Sequence, residues 1–155
     1  MEIEVKTNIH ADRESVWKTV TDIENAAQTI SGIEKVEVLE KPKTGFVGFK
    51  WTETRTMFGK TATETMWITD AVEPEFYKTR AESHGAIYVS TIEIKEKGGE
   101  TELTMRFSGT PVALSAKIFW AVLGFLFVGA TRKALSKDLA DIKAAVEKTH
   151  TLKRD

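Results

Sequence analysis

Between Phe46 and Gly109 the chain repeats one pattern, strand, turn, strand, and after Gly109 it changes to helical periodicity that lasts to about Thr149. The turns are chemically explicit. Gly98-Gly99 supplies two residues free to take positive φ, which a two-residue hairpin loop requires. It sets Ile94 opposite Leu103, Ile92 opposite Met105 and Ser90 opposite Phe107. Lys95 then meets Glu102 on the outer face, an exposed pair of small energetic weight. Gly59-Lys60 reads as a second such loop with glycine first, pairing Phe58 with Thr61, Met57 with Ala62, Arg55 with Glu64, Glu53 with Met66 and Trp51 with Ile68. Side chains alternate along a strand, so one face of this hairpin carries Thr52, Thr54, Thr56, Thr63, Thr65 and Trp67. A threonine-rich face suits solvent. The other face, with Trp51, Glu53, Arg55, Met57, Ala62, Glu64, Met66 and Ile68, points inward. His84-Gly85 turns the strand that begins at Phe76 and places Tyr77, Thr79, Ala81 and Ser83 inward too.

The flanks are simpler. Glu2 to Ile9 alternates apolar and polar residues, the mark of a half-buried strand. An alternating start also lacks the unbroken apolar stretch of a secretory signal. Asp12 is placed to cap a short helix carrying Val16, Val20 and Ile23; a second short helix covers Glu24 to Thr29 and stops at Ser31-Gly32. Ile33 to Lys41 returns to strand, and Pro42-Lys43-Thr44-Gly45 and Glu73-Pro74-Glu75 are turns. Thr110-Pro111 reads as the N-cap and first position of the last helix. Leu135, Leu139, Ile142 and Val146 give the second half of that helix one apolar stripe. The first half is different: Ile118 to Ala130 is apolar without a break. Thirteen helical residues span about 20 Å, against about 30 Å of bilayer hydrocarbon. The run is too short to cross a membrane and is expected to be buried on most sides, with docking to a membrane surface as the alternative. Gly124 and Gly129 weaken the helix there and favour a kink or break.

A sheet with one apolar face needs a cover, and the only large cover available is the last helix. The expected fold is therefore α+β, a helix grip. A curved antiparallel sheet of about seven strands wraps a long C-terminal helix, two short helices follow the first strand, and a ligand-sized cavity lies inside. One domain covers residues 1–149, and 150–155 form a frayed tail. At 155 residues the chain can build one core without staples.

The pattern resembles the START/Bet v 1-like (SRPBCC) superfamily, in its polyketide cyclase/dehydrase-like branch. The residues that carry the likeness are the opening strand, Val16-Trp17 to Asp22, Ser31-Gly32-Ile33 leading into Val36 to Glu40, and the hairpin from Trp51 to Met66. Phe107-Ser108-Gly109-Thr110-Pro111 and Lys133 to Glu147 complete it. The resemblance implies a hydrophobic cavity between sheet and helix. Members bind lipids, quinones, sterols or polyketides, and some catalyse cyclisation, aromatisation or hydrolysis.

Composition removes other classes. Lys plus Arg is 22 and Asp plus Glu is 23, so no basic footprint for nucleic acid exists. Cysteine is absent, which excludes disulfides, thiolate zinc sites and cysteine nucleophiles and fits a reducing, cytoplasmic setting. His10, His84 and His150 are scattered without metal-ligand spacing, and no phosphate loop or nucleophile elbow occurs. No metal and no cofactor is expected. The reading that remains is binding or carriage of a small hydrophobic molecule, with a cyclase/aromatase-type or hydrolytic enzyme as the alternative; the chain leans away from catalysis. The informative residues are charges on an inward face. Glu53, Arg55 and Glu64 fall in one neighbourhood, where buried charge is costly unless paired. Three roles stay open for them: an Arg55–Glu64 bridge that holds structure, a polar anchor for a ligand headgroup, or a glutamate acting as general acid or base. The candidate lining adds Trp51, Met57, Met66, Tyr77, Tyr88, Met105 and Phe107 from the strands and Trp120, Leu123 and Phe127 from the helix.

Overall fold

In the computed structural model, which describes residues 1–57 and 59–155, the alternation of the first strand is realised directly. β1 (Glu2–Ile9) buries Ile3 and Ile9 completely and turns its glutamates outward. Asp12 caps α1 (Arg13–Thr21): its carboxylate accepts from the Ser15 amide at 2.9 Å and the Ser15 hydroxyl at 2.7 Å. α1 buries Val16, Trp17 and Val20. A short 3-10 turn, Ile23–Asn25, leads into α2 (Ala26–Thr29). Six strands follow, β2 (Ile33–Glu40), β3 (Lys50–Met57), β4 (Lys60–Val72), β5 (Phe76–Ser83), β6 (Ala86–Lys97) and β7 (Glu100–Pro111), and then α3 (Leu114–Leu152). The seven strands form one antiparallel sheet ordered β1-β7-β6-β5-β4-β3-β2. Strands β2 to β7 are therefore successive neighbours, and β1 closes against β7 so that α3 can return over both. The main core gathers Ile9, Val16, Trp17, Ile68, Ile92 and Leu103 beneath Leu139, Ile142 and Val146 of α3. The expected helix grip is present.

The β6–β7 register is as predicted, with Ile94 opposite Leu103 and Ser90 opposite Phe107. The β5–β6 loop is His84-Gly85, also as predicted. The β3–β4 hairpin differs. Met57 stands opposite Lys60, Arg55 opposite Ala62, Glu53 opposite Glu64 and Trp51 opposite Met66. Gly59, at φ +71°, takes the second loop position and not the first. The register moves by two residues, an even number, so every face assignment survives. The expected Phe58–Thr61 pair lies outside the described residues.

Three expectations about the last helix are corrected. Pro111 ends β7 opposite Ala86, and the helix begins at Leu114 after an extended Ala113. The Val112 and Ala113 amides donate to the Gly85 carbonyl at 2.8 and 2.9 Å, and this clasp sets the helix start. Gly85 has φ +71°, and a Cβ there would sit 2.5 Å from that of Ala113. The helix then runs unbroken through Gly124 and Gly129 to Leu152. Finally, the apolar run is not buried: Phe125 is 74% exposed and Val122 63%. The cause is the reach of the cover. Among the described residues, polar links from segment 10–32 meet α3 only at Lys137, Asp141, Glu147 and His150. The short helices shield the far half of α3 and leave the first half open.

Candidate ligand site

The inward face of the sheet has a packed end and an open end. At the packed end Trp51 and Tyr77 are buried in the core. The Tyr77 hydroxyl donates to the Val20 carbonyl at 2.9 Å, and its ring meets Trp17 and Phe46 edge-on at 6.0 and 5.2 Å. Burial, followed by the charge of Glu53, drives this phenol far above its ordinary value. Among the described residues, the buried Trp51 indole N–H has no protein partner. Met66 and Met105 border the same core and are partly exposed.

At the open end four aromatic side chains come together. Tyr88 stacks on Phe107 with ring centroids 5.7 Å apart, Trp120 approaches Tyr88 at 6.4 Å, and Phe127 approaches Trp120 at 5.8 Å. Each is only half-buried. Trp120 can lie against β7 because residue 109 has no side chain: a Cβ at Gly109 would come within 2.3 Å of the indole. Met57 ends β3, half-buried, and Leu123 is 41% exposed. Glu64 is the polar group here. Its carboxylate lies 3.9 Å from His84 Nδ1, and its charge adds to burial in raising the Tyr88 phenol.

The charged cluster is assembled differently from the expectation. Arg55 does not pair with Glu64. Its Nε donates to Glu53 Oε1 at 2.5 Å, and its Nη1 donates to Asp138 Oδ1 at 3.1 Å. The other Asp138 oxygen is 2.9 Å from the same nitrogen but outside hydrogen-bonding geometry. Burial pushes Asp138 up to about 6, with Arg55 pulling the other way. A Cβ on Gly32 would stand 3.3 Å from Arg55 Nη1, so the Ser31-Gly32 turn closes over the pair. The group ties β3 to α3 through a 3% exposed carboxylate that sequence reasoning missed. A signal for it exists. Asp138 is three residues after Leu135 and four before Ile142, inside the apolar stripe of the helix.

A cavity of about 570 Å³ opens elsewhere, between His10, Asp12, Glu100, His150 and Arg154, and a smaller one of about 250 Å³ lies by Asp22, Lys41 and Phe49. Neither is bounded by the aromatic cluster, whose four half-buried rings lie between β6, β7 and α3. Among the described residues no group of acids and histidines is arranged to hold a metal.

A seven-stranded antiparallel sheet gripping one long C-terminal helix defines the START/Bet v 1 class of helix-grip proteins. Protein TTHA0849 from Thermus thermophilus superposes with a TM-score of 0.81 at 15% identity, over 96% of this chain and 99% of that one. A START superfamily protein from Mycobacterium smegmatis gives 0.71 at 17% identity, over 96% and 98%. The Zhui aromatase/cyclase from a Streptomyces species gives 0.72 at 14% identity, over 96% and 94%. At such identities the likeness speaks for the fold. No curated protein matches the sequence. The family itself is shown: the model for polyketide cyclase/dehydrase and lipid transport proteins matches residues 1–147, and this chain belongs to that family.

Proposed function

We propose that the chain binds and carries a small hydrophobic molecule of the lipid, quinone or polyketide class in the groove between the sheet and the first half of α3. The supporting observation is the contrast along one sheet face. Trp51, Tyr77 and Ile68 are sealed in the core, whereas Tyr88, Phe107, Trp120 and Phe127 share the inward side and stay half-exposed. Apolar surface left half-exposed in this way gains roughly 25 cal/mol for each Å² that a ligand removes from water. Glu64, near Tyr88 and His84, supplies a polar point for orienting a headgroup, while Arg55, Glu53 and Asp138 hold the helix to the sheet. The enzymatic alternative narrows to Glu64, because Glu53 is committed to Arg55.

Native mass measurement of freshly purified protein, followed by organic extraction, tests the reading. One apolar compound per chain is expected, with its affinity lowered about tenfold or more by Trp120→Ala and by Phe107→Ala. Glu64→Gln then separates the roles: a carrier loses affinity, whereas an enzyme keeps binding and loses turnover. An apo mass, together with unchanged tryptophan fluorescence on titration with a fatty acid, a quinone and a planar polyketide mimic, overturns the proposal.

A further inference from the structure

The first half of α3 presents to water a face that water does not favour. Leu114, Ile118, Val122 and Phe125 recur at helical spacing and are 58–74% exposed, with Phe119 and Leu126 beside them. The opposite stripe, Ala116, Trp120, Phe127 and Thr131, rests toward the sheet. By length and composition α3 as a whole is long and apolar enough to cross a bilayer, although the unbroken run Ile118 to Ala130 alone is not. Because one stripe is already occupied by the domain, the helix can meet a membrane only along its length, as interfacial helices do.

The charges around this face have one sign. Between Leu103 and Lys137 the charged residues are Arg106, Lys117, Arg132, Lys133 and Lys137, with no acid among them. Lys117 stands at one end of the apolar stripe and Arg132 and Lys133 at the other, all exposed. Among the described residues, none of these three has a carboxylate partner. Arg132 donates to the Glu4 carbonyl, and the Glu4 carboxylate is held by Arg106 and Lys6. A second copy fits this face poorly. A two-fold axis would bring either Lys117 to Lys117 or Lys117 to Arg132 and Lys133, cation to cation in both cases. A negatively charged lipid surface satisfies the apolar stripe and its cationic ends together.

We propose that the exposed face of α3 docks on the surface of an anionic lipid bilayer, with the helix lying in the plane of the interface. The inference stands apart from the carrier reading, since docking requires the outer stripe and not the groove. Flotation of the full chain tests it, with vesicles of phosphatidylcholine alone and of phosphatidylcholine mixed with phosphatidylglycerol. The chain is expected to float with the anionic vesicles and to be released by salt. Phe125→Glu is expected to lower partitioning roughly thirtyfold, and Lys117→Ala about fivefold. Both positions are exposed, and an unchanged thermal transition confirms that the variants fold. Failure to float with anionic vesicles overturns the proposal, as does a Phe125→Glu variant that floats like the parent. Elution as a dimer that Phe125→Glu converts to monomer also overturns it, and assigns the face to a second copy.

Discussion

The C-terminal half of α3 is the more polar of the two halves and the better buried. Five of the six buried residues of the helix lie beyond Ala130. Leu139, Ile142 and Val146 pack into the core while Lys137 and Lys148 stay outside. The stretch from Leu114 to Ala130 is almost wholly apolar and contributes one buried residue, Ala116. Burial is thus decided by what stands opposite a face. α1 and α2 reach the second half, and nothing described reaches over the outer side of the first.

The largest effect should fall where the cover is complete. Leu139 is 2% exposed, and Leu139→Ala leaves a cavity that costs about 3 kcal/mol. Phe125→Ser should change stability by less than about 0.5 kcal/mol despite removing a larger apolar group. Urea midpoints for the two variants measure the contrast. Equal losses would break it and mean that the first half is covered in solution.

Asp138 sharpens the comparison from inside the buried half, because it is a carboxylate in an otherwise apolar seam. Its value is raised by burial from 3.8 to about 6, above that of the unfolded chain. The native state therefore holds more protons than the unfolded state between about pH 4 and pH 6. The stability this group contributes is complete below about pH 4 and is lost as pH rises through 6. Asp138→Asn removes that dependence. The stability of the parent relative to the variant should fall by about 2–3 kcal/mol from pH 4 to pH 7 and be flat above. Paired acids on the sheet act in the other direction: Glu4, Glu93 and Glu102 are lowered by hydrogen bonds from Arg106, Lys95 and Lys97 in turn. Both proteins share these groups, so they cancel in the difference. A difference that does not vary with pH would show the carboxyl to be solvated and the seam open.

Most of the fold was legible because its signals are local. Gly98-Gly99 fills both positions of its loop and so points to one register, and the Asp12 cap needs only Ser15. Gly59 was ambiguous because a glycine with positive φ serves either position of a two-residue loop. Pro111 was ambiguous because a missing N–H is tolerated both at the end of a strand and in the first turn of a helix. The site was less legible for a different reason. Arg55 reaches Asp138, 83 positions away on another element; local spacing marks Asp138 as a buried acid on the helix but does not name its partner. The exposure of Phe125 was hidden in the same way. Hydropathy records what a side chain prefers, whereas only tertiary geometry says what covers it.

The smallest expected gain, opposite in sign to the losses above, probes the open half alone. A Cβ built at Gly129 or Gly124 meets nothing within 4 Å, whereas one at Gly109 would strike the Trp120 ring. The helix passes through Gly129 without a break, so alanine there needs no backbone change. It removes conformational freedom from the unfolded chain and should stabilise the protein by about 0.5–1 kcal/mol. The urea midpoint of Gly129→Ala should rise, with a small gain in helical circular dichroism. A fall would mean that this glycine lies against a surface after all, and the outer side of α3 would then have to be covered by contacts that form only in solution.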